Sequence, residues 1–272
     1  MKTNYTLIGD VREKLKELPD KSIQMCVTSP PYYALRDYGE SNQLGLEDTP
    51  EEFVANMVEV FAEVHRVLRD DGTLWLNLGD SYLKNKQLGF IPQRVAIALQ
   101  EWGWILRQDI VWAKKNCMPE SVKDRFTKSH EYIFLFSKQP KYFFNQVLEP
   151  VVKERKAGNK KSQKGTDQKF SETKQGLLKA QQKIYTKRNK RSVWNMRTAS
   201  YKEAHFAVFP PELAETCIKA GSNENDIVLD CFMGSGTTAM VAQDLFRKWI
   251  GVELNPEYEK LIRKRTAQQV LF

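Results

Sequence analysis

The chain has 272 residues, of which 41% are hydrophobic and 28% charged, and it carries 42 Lys and Arg against 34 Asp and Glu. This composition suits one large globular core, or one core with a small appendage, and excludes a largely disordered chain. The sequence has neither an apolar run long enough to span a bilayer nor a secretory signal, so we expect a cytoplasmic protein. The four Cys are widely spaced and His is rare, so neither a disulfide framework nor a zinc site is predicted.

Short apolar runs alternate with amphipathic segments along the whole chain. In chain order the pattern predicts a strand at 5–8, helical turns at 12–18, a strand at 23–28, a helix at 50–68 stopped by Asp71-Gly72, a strand at 73–78, a helix at 91–102, strands at 105–112 and 132–136, a helix at 210–220, a strand at 227–229, a helix at 237–245 and a strand at 249–252. Strands separated by helices of this length predict an α/β sheet with helices on both faces.

Positive charge is concentrated in one segment. Residues 153–191 hold 14 Lys and Arg against Glu154, Asp167 and Glu172, a net charge of +11, and because the whole chain carries +8 the remainder carries −3. The segment is rich in Lys, Gln, Ser and Gly, which is typical of a solvated arm or small subdomain. We expect it to contact a polyanion, with a merely soluble exposed loop as the alternative.

A glycine-rich loop follows the predicted strand at 227–229. Ligands bind at the carboxyl ends of strands in such sheets, where glycines let the backbone approach a ligand and the next helix presents free amides. Glu253 ends the following strand, 23 residues after Asp230, where a carboxylate can bind both ribose hydroxyls. The candidate cofactor-binding residues here are Asp230, Phe232, Gly234, Ser235, Gly236, Thr237 and Glu253.

The same glycine pattern fits a dinucleotide fingerprint, so a nicotinamide-dependent dehydrogenase is an alternative. Asp230 argues against it, because a carboxylate at the entrance of the loop would repel a pyrophosphate but suits a ligand with an ammonium and a sulfonium group. S-adenosyl-L-methionine is such a ligand, and we predict it as the cofactor. A glycine turn that only packs helix on strand is the remaining alternative.

A second unusual strand end is Ser29-Pro30-Pro31-Tyr32, directly after the predicted strand at 23–28. Two successive prolines fix an extended backbone and remove two amide donors, so the carbonyls of Ser29 and Pro30 are held rigidly. Alone, these residues are also compatible with an ordinary strand-ending turn. Together with the Asp230 loop they form a far more specific pattern.

These two patterns resemble the hallmark motifs of the amino-methylating DNA methyltransferases, Ser/Asp-Pro-Pro-Tyr and Phe-x-Gly-x-Gly. The resemblance extends through 9–10, 79–81, 109–112, 130–134 and 209–213, and thus covers nearly everything outside the basic segment. The catalytic motif precedes the cofactor motif, which is the order of the beta group of this family. The resemblance implies a Rossmann-like, seven-stranded mixed sheet, with a catalytic half at 1–138, a basic target-recognition region at 139–200 and a cofactor-binding half at 201–272.

The expected chemistry can be argued from the residues themselves. An exocyclic amine of cytosine or adenine is a poor nucleophile, because its lone pair is delocalised into the ring. Hydrogen bonds to the Ser29 hydroxyl and the Pro30 carbonyl would turn this lone pair toward a sulfonium methyl, so we predict direct transfer, with Ser29, Pro30, Pro31 and Tyr32 as catalytic residues. The base must be flipped out, and we expect Tyr32 to stack on it, so that Phe should replace Tyr32 with little effect. A carbon-5 cytosine methyltransferase would need a Pro-Cys nucleophile, which this sequence lacks.

The resemblance also bears on the target base and the partners. Ser at position 29 is typical of cytosine amine methylation, so we expect cytosine, with adenine as the alternative. The resemblance implies that Asp10 contacts the adenine of the cofactor, with a helix N-cap as its alternative role. Expected partners are double-stranded DNA and, where one exists, a cognate restriction endonuclease, in a prokaryotic or phage-encoded system. The expected DNA-binding residues are Lys183, Lys187, Arg188, Lys190 and Arg191.

Two further classes of function remain as alternatives. A non-enzymatic nucleic-acid-binding protein would use only the basic segment, but it would have no purpose for an intact Asp230 loop and an intact Ser-Pro-Pro-Tyr. An RNA or protein substrate is also compatible with a Pro-Pro-Tyr site, and the long basic insertion favours duplex DNA over both.

Overall fold

The computed structural model describes residues 1–40, 42–151, 186–199 and 209–267. The chain divides into two compact units, Met1–Asn145 with Ser192–Phe272, and Gln146–Arg191. Within the described ranges, no helix has both the length and the apolar character needed to cross a membrane. The four Cys are free thiols, and Cys26, Cys217 and Cys231 are buried.

Ten strands occur in the described residues, and eight of them form the sheet of the larger unit. Their order in this sheet is β1-β10-β9-β2-β3-β5-β4-β8, and β5 runs antiparallel to both of its neighbours while all other pairs are parallel. The strands are β1 (Tyr5–Ile8), β2 (Ile23–Thr28), β3 (Leu68–Leu78), β4 (Ile105–Lys114), β5 (His130–Ser137), β6 (Leu148–Pro150), β7 (Lys187–Asn189), β8 (Val193–Met196), β9 (Ile227–Asp230) and β10 (Lys248–Glu253).

The predicted mixed α/β sheet is confirmed, with eight strands in place of seven. The additional strand is β8, which pairs with β4 along the edge of the sheet. In β8 the buried Trp194 and Met196 alternate with the exposed Val193 and Asn195. This strand falls inside the stretch 139–200 expected to form the recognition region, whereas β6 and β7 pair with each other in the smaller unit.

Six α-helices of the described residues pack in two groups. Helix α2 contacts both α1 and α3, and helix α5 contacts both α4 and α6. Successive residues of β2 point to different helix groups: Cys26 belongs to the core cluster with α2 and α3, whereas Met25 meets Gly221 of α4. The helices are α1 (Val11–Lys14), α2 (Pro50–Val67), α3 (Ile91–Trp102), α4 (Pro211–Gly221), α5 (Thr237–Asp244) and α6 (Glu257–Ala267), and a short 3₁₀ turn, Leu15–Glu17, follows α1.

Helix α2 illustrates how local sequence sets the element boundaries. Pro50 occupies the first turn, and the Thr49 hydroxyl accepts a hydrogen bond from the Glu52 amide at 3.2 Å. The helix stops at Val67, one residue before the predicted end, and β3 begins at once, five residues before its predicted start. The Asp71-Gly72 pair lies within β3, in an irregular stretch where the pairing with β2 shifts register. This irregular backbone takes the place of the expected helix-terminating turn.

Candidate active site

A cavity of about 360 Å³ lies at the edge of the sheet where β1, β2, β3, β9 and β10 end. Residues of both motifs identified in the sequence line it, because parallel strands bring their carboxyl ends to one edge of the sheet. The predicted residues that line it are Asp10, Ser29, Pro30, Pro31, Tyr32, Phe232, Gly234, Ser235, Thr237 and Glu253.

Glu253 stands at the end of β10, where the carboxylate faces both the glycine loop and the cavity. One oxygen accepts a hydrogen bond from the Gly234 amide at 2.7 Å, and the other accepts one from the Asn255 amide at 2.9 Å. Each carboxylate oxygen has a second lone pair, so the group can accept further hydrogen bonds from a ligand. Burial raises the pKa of Glu253, and the backbone amides oppose that increase.

Asp230 has a different position from the one expected. It is 1% exposed and is absent from the lining of the cavity. Its carboxylate accepts hydrogen bonds from Thr28 at 2.6 Å, Thr238 at 2.5 Å and the Phe232 amide at 3.1 Å. Asp230 therefore joins the end of β2 to the glycine loop, and burial raises its pKa to about 6. The bonds of Asp230 to Thr28, Thr238 and Phe232 thus support the loop from within the protein, and a direct contact of Asp230 with a cofactor stays a prediction.

The turn from the loop into α5 also depends on an unpredicted arginine. Gly236 has a left-handed φ of 85° and packs against Ile262, so it shapes the turn and does not line the cavity. Arg265 of α6 donates hydrogen bonds to the Ser235 and Thr237 hydroxyls at 2.8 and 3.1 Å. The two hydroxyls expected at the cofactor are therefore held from behind by a buried guanidinium.

Asp10 lines the cavity and also caps a helix. Its carboxylate accepts a hydrogen bond from the Arg12 amide at 2.9 Å, and it forms an ion pair with the Arg12 guanidinium at 2.5 Å. The hydrogen bond from the guanidinium lowers the pKa of Asp10. Both roles considered for Asp10 in the sequence are thus sterically compatible, because the capping carboxylate stands at the cavity wall.

The catalytic motif forms a hydrogen-bond network around Tyr32. The Ser29 hydroxyl donates to the Tyr32 hydroxyl at 3.3 Å, and the Tyr32 hydroxyl donates to Glu131 at 2.7 Å. The Asn77 amide donates to the Tyr32 and Ser29 hydroxyls at 2.7 and 3.2 Å. Burial raises the pKa of Tyr32 well above its ordinary value, and the Glu131 charge adds to this increase. Because the Tyr32 hydroxyl is bonded to three side chains, we now expect Tyr32→Phe to have a larger effect than a pure stacking role would give.

Sequence reasoning missed Asn77, Lys114 and Glu131, which all line the cavity. Glu131 forms an ion pair with Lys114 and accepts a further hydrogen bond from Asn77 at 3.1 Å. The local signal was a polar residue within two positions of one end of a strand. Buried polar groups in such a position need partners, which in this case come from three different strands.

Gly79 explains how the Tyr32 ring fits over the end of β3. A methyl group added at Gly79 would lie 2.4 Å from Cε2 of Tyr32, far inside van der Waals contact. The Tyr32 ring therefore gives a steric reason for a glycine at position 79, within the stretch 79–81 noted in the sequence. The neighbouring Asp80 accepts hydrogen bonds from the Phe90 and Ile91 amides at 3.1 and 3.0 Å, so it caps the start of α3.

Four of the predicted DNA-binding residues lie in the smaller unit, and Lys183 lies outside the described residues. Glu149 of β6 binds both Arg188, at 2.8 Å, and Arg191, at 2.7 Å. Lys187 is exposed on β7, and the amide of Lys190 donates to the Val147 carbonyl at 2.9 Å. Arg188 and Arg191, two of the residues expected to bind phosphate, thus both bind Glu149.

The sheet order, the cavity at its edge and the two motifs that line it agree with the fold and site that the resemblance implies. The sequence profile of the DNA methylase family, which comprises N6 and N4 methyltransferases, matches residues 23–264, and the chain belongs to this family. The predicted resemblance is confirmed, and the predicted cofactor, S-adenosyl-L-methionine, is confirmed with it.

Individual relatives extend this assignment. Type II methyltransferase M.SmaI of Serratia marcescens is 41% identical, over 97% of this chain and 90% of the relative. Type II methyltransferase M.XycI of Xanthomonas campestris pv. cyanopsidis is 44% identical, over 96% and 87%.

Two solved structures share the fold. The PvuII DNA methyltransferase, described as cytosine-N4-specific, superposes with a TM-score of 0.73 at 23% identity, over 100% of this chain and 89% of that one. The DNA modification methylase TTHA0409 of Thermus thermophilus, in complex with S-adenosyl-L-methionine, gives a TM-score of 0.67 at 26% identity, over 98% and 95%.

Proposed function

We propose that this DNA methyltransferase moves a methyl group from S-adenosyl-L-methionine to the exocyclic amine of a cytosine in double-stranded DNA. The observation that carries the proposal is the directed hydrogen-bond chain from Ser29 through Tyr32 to Glu131. Each hydroxyl in this chain gives its proton to the next group. The Ser29 oxygen is thereby oriented as an acceptor toward the cavity, where a cytosine amine would donate to it.

Ser29 and Pro30 together prepare the amine for attack. The amine has two protons, and two acceptors, the Ser29 hydroxyl and the Pro30 carbonyl, draw its nitrogen toward a tetrahedral geometry. This geometry withdraws the lone pair from the ring and makes it available to an electrophile. After transfer the nitrogen must lose one proton, and Glu131 provides a carboxylate at the far end of the hydroxyl chain.

The cofactor half of the cavity fits S-adenosyl-L-methionine, which supplies an electrophilic methyl group when bound. Glu253 would accept hydrogen bonds from the ribose hydroxyls, because its two oxygens keep unused lone pairs beside the cavity. Phe232 and Tyr258 contribute aromatic surface to the same lining, which suits a flat purine ring. Asp10, Gly234, Ser235 and Thr237 complete the proposed cofactor contacts.

The choice of cytosine over adenine depends on Ser29, because adenine enzymes of this class mostly have Asp or Asn there. The PvuII enzyme, which is described as cytosine-N4-specific, has the same fold and agrees with this choice. Flipping of the base is part of the proposal, since a stacked cytosine cannot bring its amine to a cavity at the sheet edge.

The two-stranded sheet of β6 and β7 is proposed as part of the DNA contact. Lys187, Arg188, Lys190 and Arg191 give it a positive surface, which Glu149 orders and only partly neutralises. Together with Lys183 they would bind backbone phosphates within a recognition region at 139–200. Because relatives such as M.SmaI are Type II methyltransferases, we also propose a cognate restriction endonuclease as a functional partner.

A pair of serine variants tests the catalytic proposal. Ser29→Ala should abolish most transfer of labelled methyl groups to DNA while leaving cofactor binding intact, because the lost hydrogen bond matters most in the transition state. Ser22→Ala is the matched control, since Ser22 is bonded to the Pro19 carbonyl, does not line the cavity, and should leave the rate unchanged. Equal rates for the two variants would overturn the proposed role of Ser29.

A further inference from the structure

The loop at 115–129, which joins β4 to β5, exposes apolar side chains that no part of the mechanism uses. We call it the β4–β5 loop. Phe126 is 97% exposed, Met118 84% and Val122 36%. A single exposed apolar residue is ordinary, but three within nine positions of one loop are an apolar surface available to a partner.

The β4–β5 loop is firmly anchored beside these exposed side chains. The Arg125 guanidinium lies 4.1 Å from the centroid of the Tyr82 ring and forms an ion pair with Glu120. Lys128 donates a hydrogen bond to the Asp80 carbonyl. The backbone on both sides of Phe126 is thus held by Arg125 and Lys128, and its exposed ring extends from an anchored part of the loop.

The position of the loop relates it to the catalytic part of the cavity. It begins directly after Lys114 and ends one residue before His130, the neighbour of Glu131, and Lys114 and Glu131 form an ion pair in the cavity lining. Both ends of the loop thus adjoin the network of Ser29 and Tyr32, because Tyr32 donates to Glu131. The loop carries four cationic side chains against Glu120 and Asp124, a net charge of 4 − 2 = +2, and its exposed Lys115 and Lys123 suit phosphate groups around an apolar centre.

We propose that Phe126 enters the DNA stack at the place that the target base leaves. This inference rests on the proposed function, because it requires a base to be flipped into the cavity. Removing a base from a duplex loses its stacking on both neighbours, and a flat apolar ring inserted into the gap restores part of that contact. Lys115 and Lys123 would hold the adjoining phosphates while the ring is inserted.

The test compares two duplexes that contain the methylated sequence, which is first mapped by base-modification sequencing of DNA from cells expressing the protein. One duplex is fully paired, and the other has an abasic site opposite the target base, so that the target is already loosened. We expect Phe126→Ala to slow single-turnover methylation of the paired duplex by about tenfold or more. On the abasic duplex the same variant should approach the wild-type rate.

Phe246→Ala is the matched control. Phe246 is 74% exposed and precedes β10 on the far side of the sheet order from β4, so its loss should change neither rate. Equal slowing of both duplexes by Phe126→Ala, or no slowing, would overturn the proposal. A change of oligomeric state in Phe126→Ala, measured by sedimentation, would also overturn it, because the ring would then pack on a second copy. Methylation of adenine would refute the proposed base, while the ratio of the two rates would still report on Phe126.

Discussion

Replacing Tyr32 with Phe removes one oxygen atom from the centre of the catalytic network. That oxygen donates to Glu131 at 2.7 Å and accepts from Asn77 at 2.7 Å and from Ser29 at 3.3 Å. A hydrogen bond to a charged group contributes roughly 1.5–3 kcal/mol, and a long neutral bond such as that from Ser29 contributes less. Asn77 keeps its bonds to Ser29 and Glu131, which limits the loss.

We therefore expect Tyr32→Phe to lower the free energy of unfolding by about 2 kcal/mol and to slow methyl transfer by about tenfold or more. The rate should fall because Ser29 loses the acceptor that orients its hydroxyl. Urea unfolding measures the first effect, and single-turnover transfer of labelled methyl groups measures the second.

Tyr33→Phe is the matched control for this measurement. The Tyr33 hydroxyl makes one hydrogen bond, 3.3 Å long, to the Asp48 carbonyl, so its removal should cost about 0.5–1 kcal/mol and leave the rate unchanged. A double-mutant cycle of Tyr32→Phe with Glu131→Gln should give a coupling energy of about 1–2 kcal/mol. Wild-type stability and rate in Tyr32→Phe would refute this reasoning and restore a pure stacking role.

Three further predictions follow from individual groups. Glu253→Ala should weaken binding of S-adenosyl-L-methionine by about 1–3 kcal/mol in calorimetry, and NADH should give no binding signal. The pKa of Asp230 in the folded protein is about 6, above its ordinary 3.8, so the folded state favours the protonated acid. The protonated acid contributes up to roughly 3 kcal/mol to the free energy of unfolding below pH ~4, and this contribution is lost as the pH rises through ~6. Asp230→Asn should remove this pH dependence from urea unfolding midpoints, and an identical slope in both proteins would contradict it. Replacing Lys187 and Lys190 with Ala should flatten the salt dependence of DNA binding without changing cofactor affinity, and an unchanged salt slope would show a merely solvated surface.

The sequence identified the parts of the site whose signal is local. Two adjacent prolines or two closely spaced glycines are visible without the fold, and a carboxylate at a strand end can be found by counting. Asp230 was found in the same way, but its bond to Thr28 was not, because Thr28 is 202 positions away in the chain. A carboxylate that joins two strands and one that binds a ligand look alike in sequence.

Glu131 and Asn77 show why the network itself was missed. Each is a polar residue beside an apolar run of its strand, and their contact depends on the pairing of β3 with β5. That pairing brings together residues 54 positions apart. Sequence periodicity predicts a strand but not its neighbours, so a side-chain cluster across three strands cannot be read from it.

The missed elements have a different cause. Helix α6 buries only Ile262 and Arg265 among its described side chains, so its apolar stripe is too narrow to stand out among its charges. Strand β8 has four residues, too few for a clear alternation. The start of β3 was predicted at residue 73 instead of 68, because Asp71-Gly72 is a strong turn signal. In the sheet, a register shift accommodates this pair without a turn.

The most direct test of the proposed function is the identity of the product nucleoside. Duplex DNA carrying the mapped site is incubated with the protein and isotopically labelled S-adenosyl-L-methionine, digested to nucleosides and examined by mass spectrometry. The hydrogen-bond chain from Ser29 to Glu131 predicts label on the exocyclic amine of cytosine. Label on the adenine amine would contradict the choice of base while leaving the amine chemistry in place, and label on carbon 5 of cytosine would contradict both.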